Sequence, residues 1–429
     1  MNILVLGSGG REHTLAWKIS QSFNCTQVFV APGNAGTDLV AENVDINVND
    51  FPAIGEFVLE NEIDLVVVGP EDPLVNGIRD YFEADEKLKD INFVGPGKKG
   101  AQLEGSKDFS KIFMQKHGVP TAAAQTFTAE SIDKGLAYLD NCKMPIVLKA
   151  DGLAAGKGVV IAQSLDEAKD SLKSMLLDKQ FGEASAKVLI EEYLDGIELS
   201  VFVLTDGKDY VVLPEAKDYK RIGDGDTGLN TGGMGAVSPV KFADKAFMEK
   251  VEEKVIKPTV DGLKADNIDY KGFIFIGLMN VGGEPYVIEY NVRMGDPETQ
   301  VVIPRIQSDI VDMLLAAADG TLGDYELLIG DFNVAGVVLV SGGYPGPYEK
   351  GKSIQGLADV TNSLVIHAGT VQDDYQVLTN GGRVLTIVGR GDDMESALTN
   401  AYKDVNSIKW DDMYFRKDIG KDILASRTF

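Results

Sequence analysis

The chain has 429 residues, 44% of them hydrophobic, and carries 41 Lys and Arg against 66 Asp and Glu, a formal net charge of −25. That length is too great for one ordinary core and points to about two to four domains, while the charge repels nucleic acid and acidic membranes, so neither is expected as a partner and an anionic substrate must be met by local positive charge. Two cysteines, Cys25 and Cys142, exclude a disulfide framework, no apolar run approaches the roughly 18 residues of a membrane span, and Met1-Asn2-Ile3-Leu4 runs straight into a strand, so a cytoplasmic chain without a leader is expected.

A short apolar strand at residues 3–6 is followed by Gly7-Ser8-Gly9-Gly10-Arg11-Glu12-His13 and a helical pattern through Leu15, Ala16 and Ile19, the start of a βαβ unit. Against the dinucleotide fingerprint G-x-G-x-x-G, Gly7 and Gly9 match, but Glu12 stands at the third glycine. Further strands at 27–31, 65–68 and 92–94 close on Pro32-Gly33-Asn34-Ala35-Gly36, Gly69-Pro70-Glu71 and Gly95-Pro96. Short apolar runs ending in turns describe a buried parallel sheet whose loops gather at its carboxyl edge. Arg11 and the amides beside it suit a phosphate at a helix N-terminus; the alternative is that these glycines only make tight turns. From Leu103 the texture changes to Glu104-Gly105-Ser106-Lys107, with Ser106 capping a helix, and a first boundary falls here, giving residues 1–105 as a Rossmann-like N-terminal domain.

Residues 145–161 read PIVLKADGLAAGKGVVI. A strand carrying Lys149 enters a glycine loop, with Gly152 and Gly156, and a second strand leaves it. This is not a P-loop: the glycine spacing is one residue short, Gly158 replaces the Ser or Thr, and no helix follows. A glycine loop between strands suits a flap over nucleotide phosphates; a glycine-rich hairpin with solvated lysines is the alternative. Next, a strand delivers Glu191-Glu192-Tyr193-Leu194, a turn follows at Asp195-Gly196, and a second strand carries Glu198. A carboxylate just past such a connector is placed to accept ribose hydroxyls while connector backbone reads an adenine edge, although paired strand glutamates are also commonly solvated. Residues 218–235, DYKRIGDGDTGLNTGGMG, are too polar for a core element and are expected as a functional loop, with Lys220, Arg221 and Asn230-Thr231-Gly232-Gly233 able to bind an anion, or as disorder.

Residues 285–300, PYVIEYNVRMGDPETQ, begin as alternation. Tyr286, Ile288, Tyr290 and Val292 are expected on one face of a strand, and Glu289, Asn291 and Arg293 on the other. A carboxylate, an amide oxygen and a guanidinium on one face are costly unless compensated, and a divalent cation with phosphates would compensate them. Glu289 and Asn291 offer hard oxygen ligands for magnesium or manganese, and Arg293 a fork for a phosphoryl oxygen. The alternative is a strand with one wet face. A helix at 308–318 and a smaller α+β domain from about residue 326 complete the chain; His117 and His367 have no zinc spacing and are expected to be structural.

Glycine flap with lysine, connector with carboxylate, and acidic strand, in this order, are the parts of an ATP-grasp nucleotide site. With GSGGREH (7–13), APGNAGT (31–37), GPE (69–71), LEGSK (103–107), KADGLAAGKGV (149–159), NTGGMGA (230–236), GDPETQ (295–300), HAGT (367–370) and NGGRVL (380–385), the chain resembles the glycinamide ribonucleotide synthetase family along its whole length. The resemblance implies an α/β and α+β multidomain fold: the Rossmann-like domain, an ATP-grasp domain over 106–325 with a small glycine-loop lid at about 120–192, and a C-terminal α+β domain over 326–429. It implies ligation of glycine to 5-phosphoribosylamine with ATP and Mg²⁺ or Mn²⁺, by a monomer acting on small molecules. It places Lys107, Lys149, Gly152 and Gly156 on phosphates, Glu191 to Leu194 on adenine, Glu198 on ribose, Glu289 and Asn291 on metal, and Arg293 at the reacting phosphoryl group. Gly10, Arg11, Glu12, Asp218, Lys220, Gly295, Asp296 and Pro297 fall near the phosphoribosylamine and glycine site. Tyr219, Leu229 and Met294 depart from the family pattern, which commonly has His, Pro and Phe there. An ATP-grasp carboxylase shares the nucleotide site, and a dinucleotide-binding oxidoreductase would need the missing third glycine and an acidic end to the second strand.

Overall fold

The computed structural model describes residues 1–152, 158–180 and 182–425. The first layer is a parallel sheet of five strands in the order Glu42–Asn43, Gln27–Pro32, Asn2–Gly7, Ile63–Val68, Asn92–Val94. Helices cover it, so Ile3, Leu4, Val5 and Leu6 are all buried, as a strand packed on both faces requires. The chain winds outward in both directions from Asn2–Gly7, so the crevice lies beyond the carboxyl ends of Asn2–Gly7 and Ile63–Val68, which puts Gly9, Arg11 and Glu71 at its mouth.

A second sheet orders Ala124–Thr128, Lys187–Glu192, Ile146–Ala150 and Val159–Ala162, with the helices Ile132–Leu139 and Leu165–Leu176 packed on it through Phe127, Leu148, Leu172 and Ile190. The centre of the glycine loop, 153–157, which includes the expected phosphate contact Gly156, lies outside the described residues. A third sheet, antiparallel, runs Tyr210–Val212, Ile197–Thr205, Gly272–Val281, Glu284–Asn291. The fourth orders Lys217–Asp218, Gly235–Ser238, Asn333–Val340, Arg383–Gly391, Ser363–His367, so the C-terminal sheet takes two of its strands from the middle of the chain.

Two expectations are corrected. Residues 218–235 are not an irregular loop: Lys217–Asp218 and Gly235–Ser238 are sheet strands, and Arg221–Gly223 pairs with Thr227–Asn230 as a hairpin. The hairpin strand Thr227–Asn230 is exposed throughout, so it has no buried periodicity to read, and its backbone is satisfied by its partner alone. On the strand Glu284–Asn291 the alternation is broken. Gly277 pairs with Glu289 and Leu278 with Val287, leaving Ile288 as an extra residue in a bulge. Val287 and Tyr290 therefore take the core positions, and Ile288 turns to the cleft beside Glu289 and Asn291. Cys25 and Cys142 are free thiols. Among the described residues no helix is long and apolar enough to cross a membrane.

Candidate active site

All four sheets border one cleft of about 420 Å³. Its lid side is organised by Glu191, at the end of a lid strand. The Glu191 carboxylate meets Lys149 Nζ at 2.7 Å through Oε2 and Lys111 Nζ at 3.3 Å through Oε1, and all three side chains are buried. Burial alone would raise the Glu191 pKa, but the two ammonium groups outweigh it and hold it below the ordinary range. Lys111 also donates to Thr121 Oγ1 at 2.5 Å and the Ala122 carbonyl at 3.2 Å. Lys107 Nζ donates to the Gly152 carbonyl at 3.1 Å, at the near end of the glycine loop. Burial lowers its pKa, against the pull of Glu289. Lys107, Lys111 and Lys149 thus put positive charge along one wall; Thr121, Ala122 and Glu191 take the three donors of Lys111, which leaves Lys107 and Lys149 with donors suited to phosphate oxygens.

Opposite stand Glu289 and Asn291. Glu289 is exposed, and no hydrogen bond or ion pair fixes its carboxylate among the described residues. Asn291 is 8% exposed, and its Nδ2 is buried without a partner. The orphaned Nδ2 is a donor that a cation does not satisfy, whereas the amide oxygen of Asn291 and the Glu289 carboxylate are hard oxygens on one side of the cleft. Among the described residues no cluster of three His, Cys, Asp or Glu side chains is arranged to hold a metal. Two protein oxygens completed by phosphates and water is how Mg²⁺ is commonly held, so the donor set fits a hard cation that arrives with a nucleotide.

Arg293 lines the cleft, but its fork is engaged: Nη2 lies 2.6 Å from Glu104 Oε1, and Nε 3.2 Å from Glu71 Oε2. Glu104 also accepts from the Val292 amide at 2.8 Å, and burial pushes its carboxyl up to about 7 against the pull of Arg293. Of the five N–H donors of Arg293, one each on Nε and Nη2 meets these carboxylates and one on Nη1 the Met294 carbonyl at 3.4 Å, so the residue has only its remaining edge, not an open fork, to offer to the cleft.

At the Rossmann end, Glu12 Oε2 accepts from the Gly9 amide at 2.6 Å, and Oε1 from Arg11 Nε at 2.6 Å. A Cβ on Gly69 would lie 2.0 Å from Glu12 Oε1, and one on Gly7, whose φ is +127°, 2.4 Å from Glu12 Cγ. The glutamate at the third fingerprint position fills the space over both turns, where a dinucleotide pyrophosphate would otherwise approach. Arg11 Nη1 donates to the Met294 carbonyl at 3.1 Å, and its amide to Asp296 Oδ2 at 3.2 Å. Gly10 begins the helix Gly10–Ile19 against Gln300, whose Nε2 would meet a Cβ at 2.4 Å. Gly295, Asp296 and Pro297 form the turn between Arg11 and Arg383, whose Nη1 donates to the carbonyls of Asp296 and Gly232, both at 2.7 Å. Burial would raise the Asp296 pKa, but Arg383 and Arg11 hold it down.

The fourth corner is mixed in charge. Lys220 Nζ lies 2.6 Å from Glu198 Oε2 and 4.0 Å from Asp218, and its ammonium holds the Glu198 carboxyl below the ordinary range. Burial raises Asp218. Glu298 accepts from Ser200 Oγ at 3.0 Å and is pushed up to about 7, by burial first and by Asp218 next. Two buried carboxyl groups near Lys220 favour a further cationic guest.

Of the residues singled out in the sequence, Arg11, Lys107, Lys149, Glu191, Glu198, Asp218, Lys220, Glu289, Asn291, Arg293 and Asp296 line this cleft. Glu192, Tyr193 and Leu194 do not. Glu191 spends its carboxylate on two lysines, and Glu192 turns outward to the Ala123 amide at 3.2 Å. Gly152 contributes its carbonyl to Lys107. Sequence reasoning missed Lys111, Glu104, Glu298 and Arg383. Lys111 was detectable as the residue one helical turn beyond Lys107 on the same face; Arg383 reaches the site from a strand far away in the chain and left no local signal.

The chain matches family models described as the phosphoribosylglycinamide synthetase N domain over residues 1–104, ATP-grasp (A) domain over 105–299 and C domain over 334–422. It is 47% identical over 429 residues to the phosphoribosylamine–glycine ligase of Pasteurella multocida, covering 99% of each chain. It is 47% identical over 426 residues to that of Escherichia coli, covering 98% of each. The crystal structure of a phosphoribosylamine–glycine ligase from Thermotoga maritima superposes with a TM-score of 0.85 at 34% identity, over 98% of this chain and 100% of that one. The biotin carboxylase domain of a Hydrogenobacter thermophilus 2-oxoglutarate carboxylase, solved with MgADP and bicarbonate, shares the fold at a TM-score of 0.72 and 17% identity, over 95% of this chain and 90% of that one.

Proposed function

Since the chain belongs to the phosphoribosylglycinamide synthetase family, we propose that its cleft joins glycine to 5-phosphoribosylamine with ATP, giving glycinamide ribonucleotide, ADP and phosphate in purine biosynthesis. The observation that carries the reading is that the ammonium wall of Lys107, Lys111 and Lys149 and the Arg11–Asp296–Arg383 corner open into one cleft, with Glu289 and Asn291 between them.

A carboxylate resists attack by an amine because oxide would have to leave. A glycine carboxylate oxygen therefore attacks the γ-phosphorus, the bond to the β-phosphate oxygen breaks, and ADP departs. The amine of phosphoribosylamine then attacks the carbonyl carbon of glycyl phosphate, and phosphate leaves with its electron pair as the amide forms and the amine gives up a proton. The chain's residues position and neutralise. Lys107 and Lys149 hold phosphate oxygens, Glu191 pairs with Lys149 and Lys111 and fixes their position, and Glu198 accepts from the ribose. Asp218 and Glu298 face the glycine ammonium, and Arg11 with the amides at Gly10 faces the sugar phosphate. Arg293, braced by Glu71 and Glu104, offers its free edge to the transferring group. Glu289 and Asn291 would hold the divalent cation, Mg²⁺ or Mn²⁺, which would supply charge neutralisation for the phosphates.

The test is ADP formation with glycine and phosphoribosylamine together, with each alone, with bicarbonate, and with none. Sustained ADP release that needs both glycine and the amine is expected. Release driven by bicarbonate without glycine would overturn the reading in favour of a carboxylase.

A further inference from the structure

Residues 217–221 alternate between two environments. Asp218 and Lys220 line the cleft, while Lys217 and Tyr219 turn the other way, onto the segment 416–422, which Arg221 meets through its backbone carbonyl alone. Asp422 pairs with Lys217 and accepts from Tyr219 Oη at 2.5 Å, and the Gly420 amide donates to the same Oη at 3.0 Å. Arg416 is 1% exposed. Its Nη1 donates to the Arg221 carbonyl at 3.1 Å and to Asp226 at 2.7 Å, its Nε and Nη2 each meet Asp418 at 2.8 Å, and its guanidinium lies 5.3 Å from the centre of the Tyr219 ring. Asp418 accepts from the Gly225 amide at 2.7 Å, and Asp224 from the Lys417 amide at 2.8 Å. Each odd-numbered residue of the run is thus tied to one C-terminal segment, and each even-numbered side chain is delivered to the cleft between two such ties.

We propose that the segment 416–422 braces the strand and hairpin from behind, and that Tyr219, Arg416 and Asp422 are positioning residues that set where Asp218 and Lys220 stand in the cleft. The physical ground is that a two-residue strand and an exposed hairpin bury too little to fix two charged side chains by themselves. A buried arginine with its donors satisfied by four acceptors supplies a rigid anchor that the hairpin lacks. Tyr219 makes the middle tie, to Asp422, the Gly420 amide and the Arg416 guanidinium.

The kinetic consequence rests on the function proposed above; the structural one does not. Asp422 is half-exposed, so Asp422→Ala is expected to fold, and Asp422→Asn keeps an oxygen acceptor for Tyr219. In Asp422→Ala the amides of Thr231 and Met234, which donate to the carbonyls of Lys220 and Tyr219 at 2.7 Å each, are expected to exchange with deuterium about tenfold faster than in the wild type. The glycine KM is expected to rise about fivefold with kcat within about twofold, and Asp422→Asn to restore most of both changes. Unchanged exchange at those two amides would overturn the brace. So would a fall in kcat that leaves KM alone and that Asn does not restore. A wild-type chain with no glycine-dependent turnover would discard the proposed reaction, while the exchange measurement would still decide the brace.

Discussion

Among the described residues no hydrogen bond or ion pair fixes the Glu289 carboxylate, which lies at the edge of a cleft lined with ammonium groups, next to Asn291, whose Nδ2 has no partner. Because it is exposed, Glu289→Gln is expected to change stability by less than about 0.5 kcal/mol. The same change is expected to raise the metal concentration for half-maximal ADP formation by about tenfold or more; wild-type metal dependence would remove the residue from the metal site. Glu298 makes a second prediction through its proton. Its pKa is raised to about 7 in the fold against an ordinary value of 4.5, so the folded state binds the proton more tightly than the unfolded chain. Its contribution is therefore fully present below about pH 4.5 and is lost as pH rises through about 7, with a slope of up to about 1.4 kcal/mol per pH unit. Urea unfolding between pH 5 and 7.5 is expected to show a shallower loss of stability in Glu298→Gln than in the wild type, and parallel curves would mean that the carboxyl is already ionised.

At the scale of elements, the turns of the Rossmann sheet depend on the absence of side chains under Glu12. Gly69→Ala would force a methyl against the Glu12 carboxylate, which is held by the Gly9 amide and Arg11. Overpacking of this kind costs about 1–3 kcal/mol, and a melting curve should register it as a lower midpoint, whereas a neutral substitution would show that Glu12 is free to move. The parallel sheet, the glycine turns and the capped helix after Ser106 were legible in the sequence because each is written in a short local pattern. The bulge at Ile288 was not, since period-two alternation carries no mark where one residue is added. The hairpin 221–230 was hidden because its strands bury no regular face. Of the connector Glu191 to Leu194, placed on adenine by the family resemblance, Glu191 lines the cleft and its carboxylate binds lysines.

At the scale of the molecule, the cleft exists because distant parts of the chain meet at the turn Gly295-Asp296-Pro297. Arg11 comes from the helix that follows the first strand and Arg383 from the fourth sheet, and both hold Asp296, while Glu71 and Glu104 reach Arg293 beside it. Local patterns singled out many of the residues that line the cleft, Lys107, Lys149, Glu191 and Glu289 among them. They could not identify Arg383, or the ties from 416–422, because those contacts are set by topology alone. In the reaction proposed for this cleft, glycine's own carboxylate is phosphorylated before the amine attacks. Glycine carrying ¹⁸O in both carboxylate oxygens tests this most directly, by mass spectrometry of the phosphate released during turnover. The account predicts one labelled oxygen in phosphate for each glycinamide ribonucleotide formed, since that oxygen bridges carbon and phosphorus in glycyl phosphate. Amide product accompanied by unlabelled phosphate would contradict it.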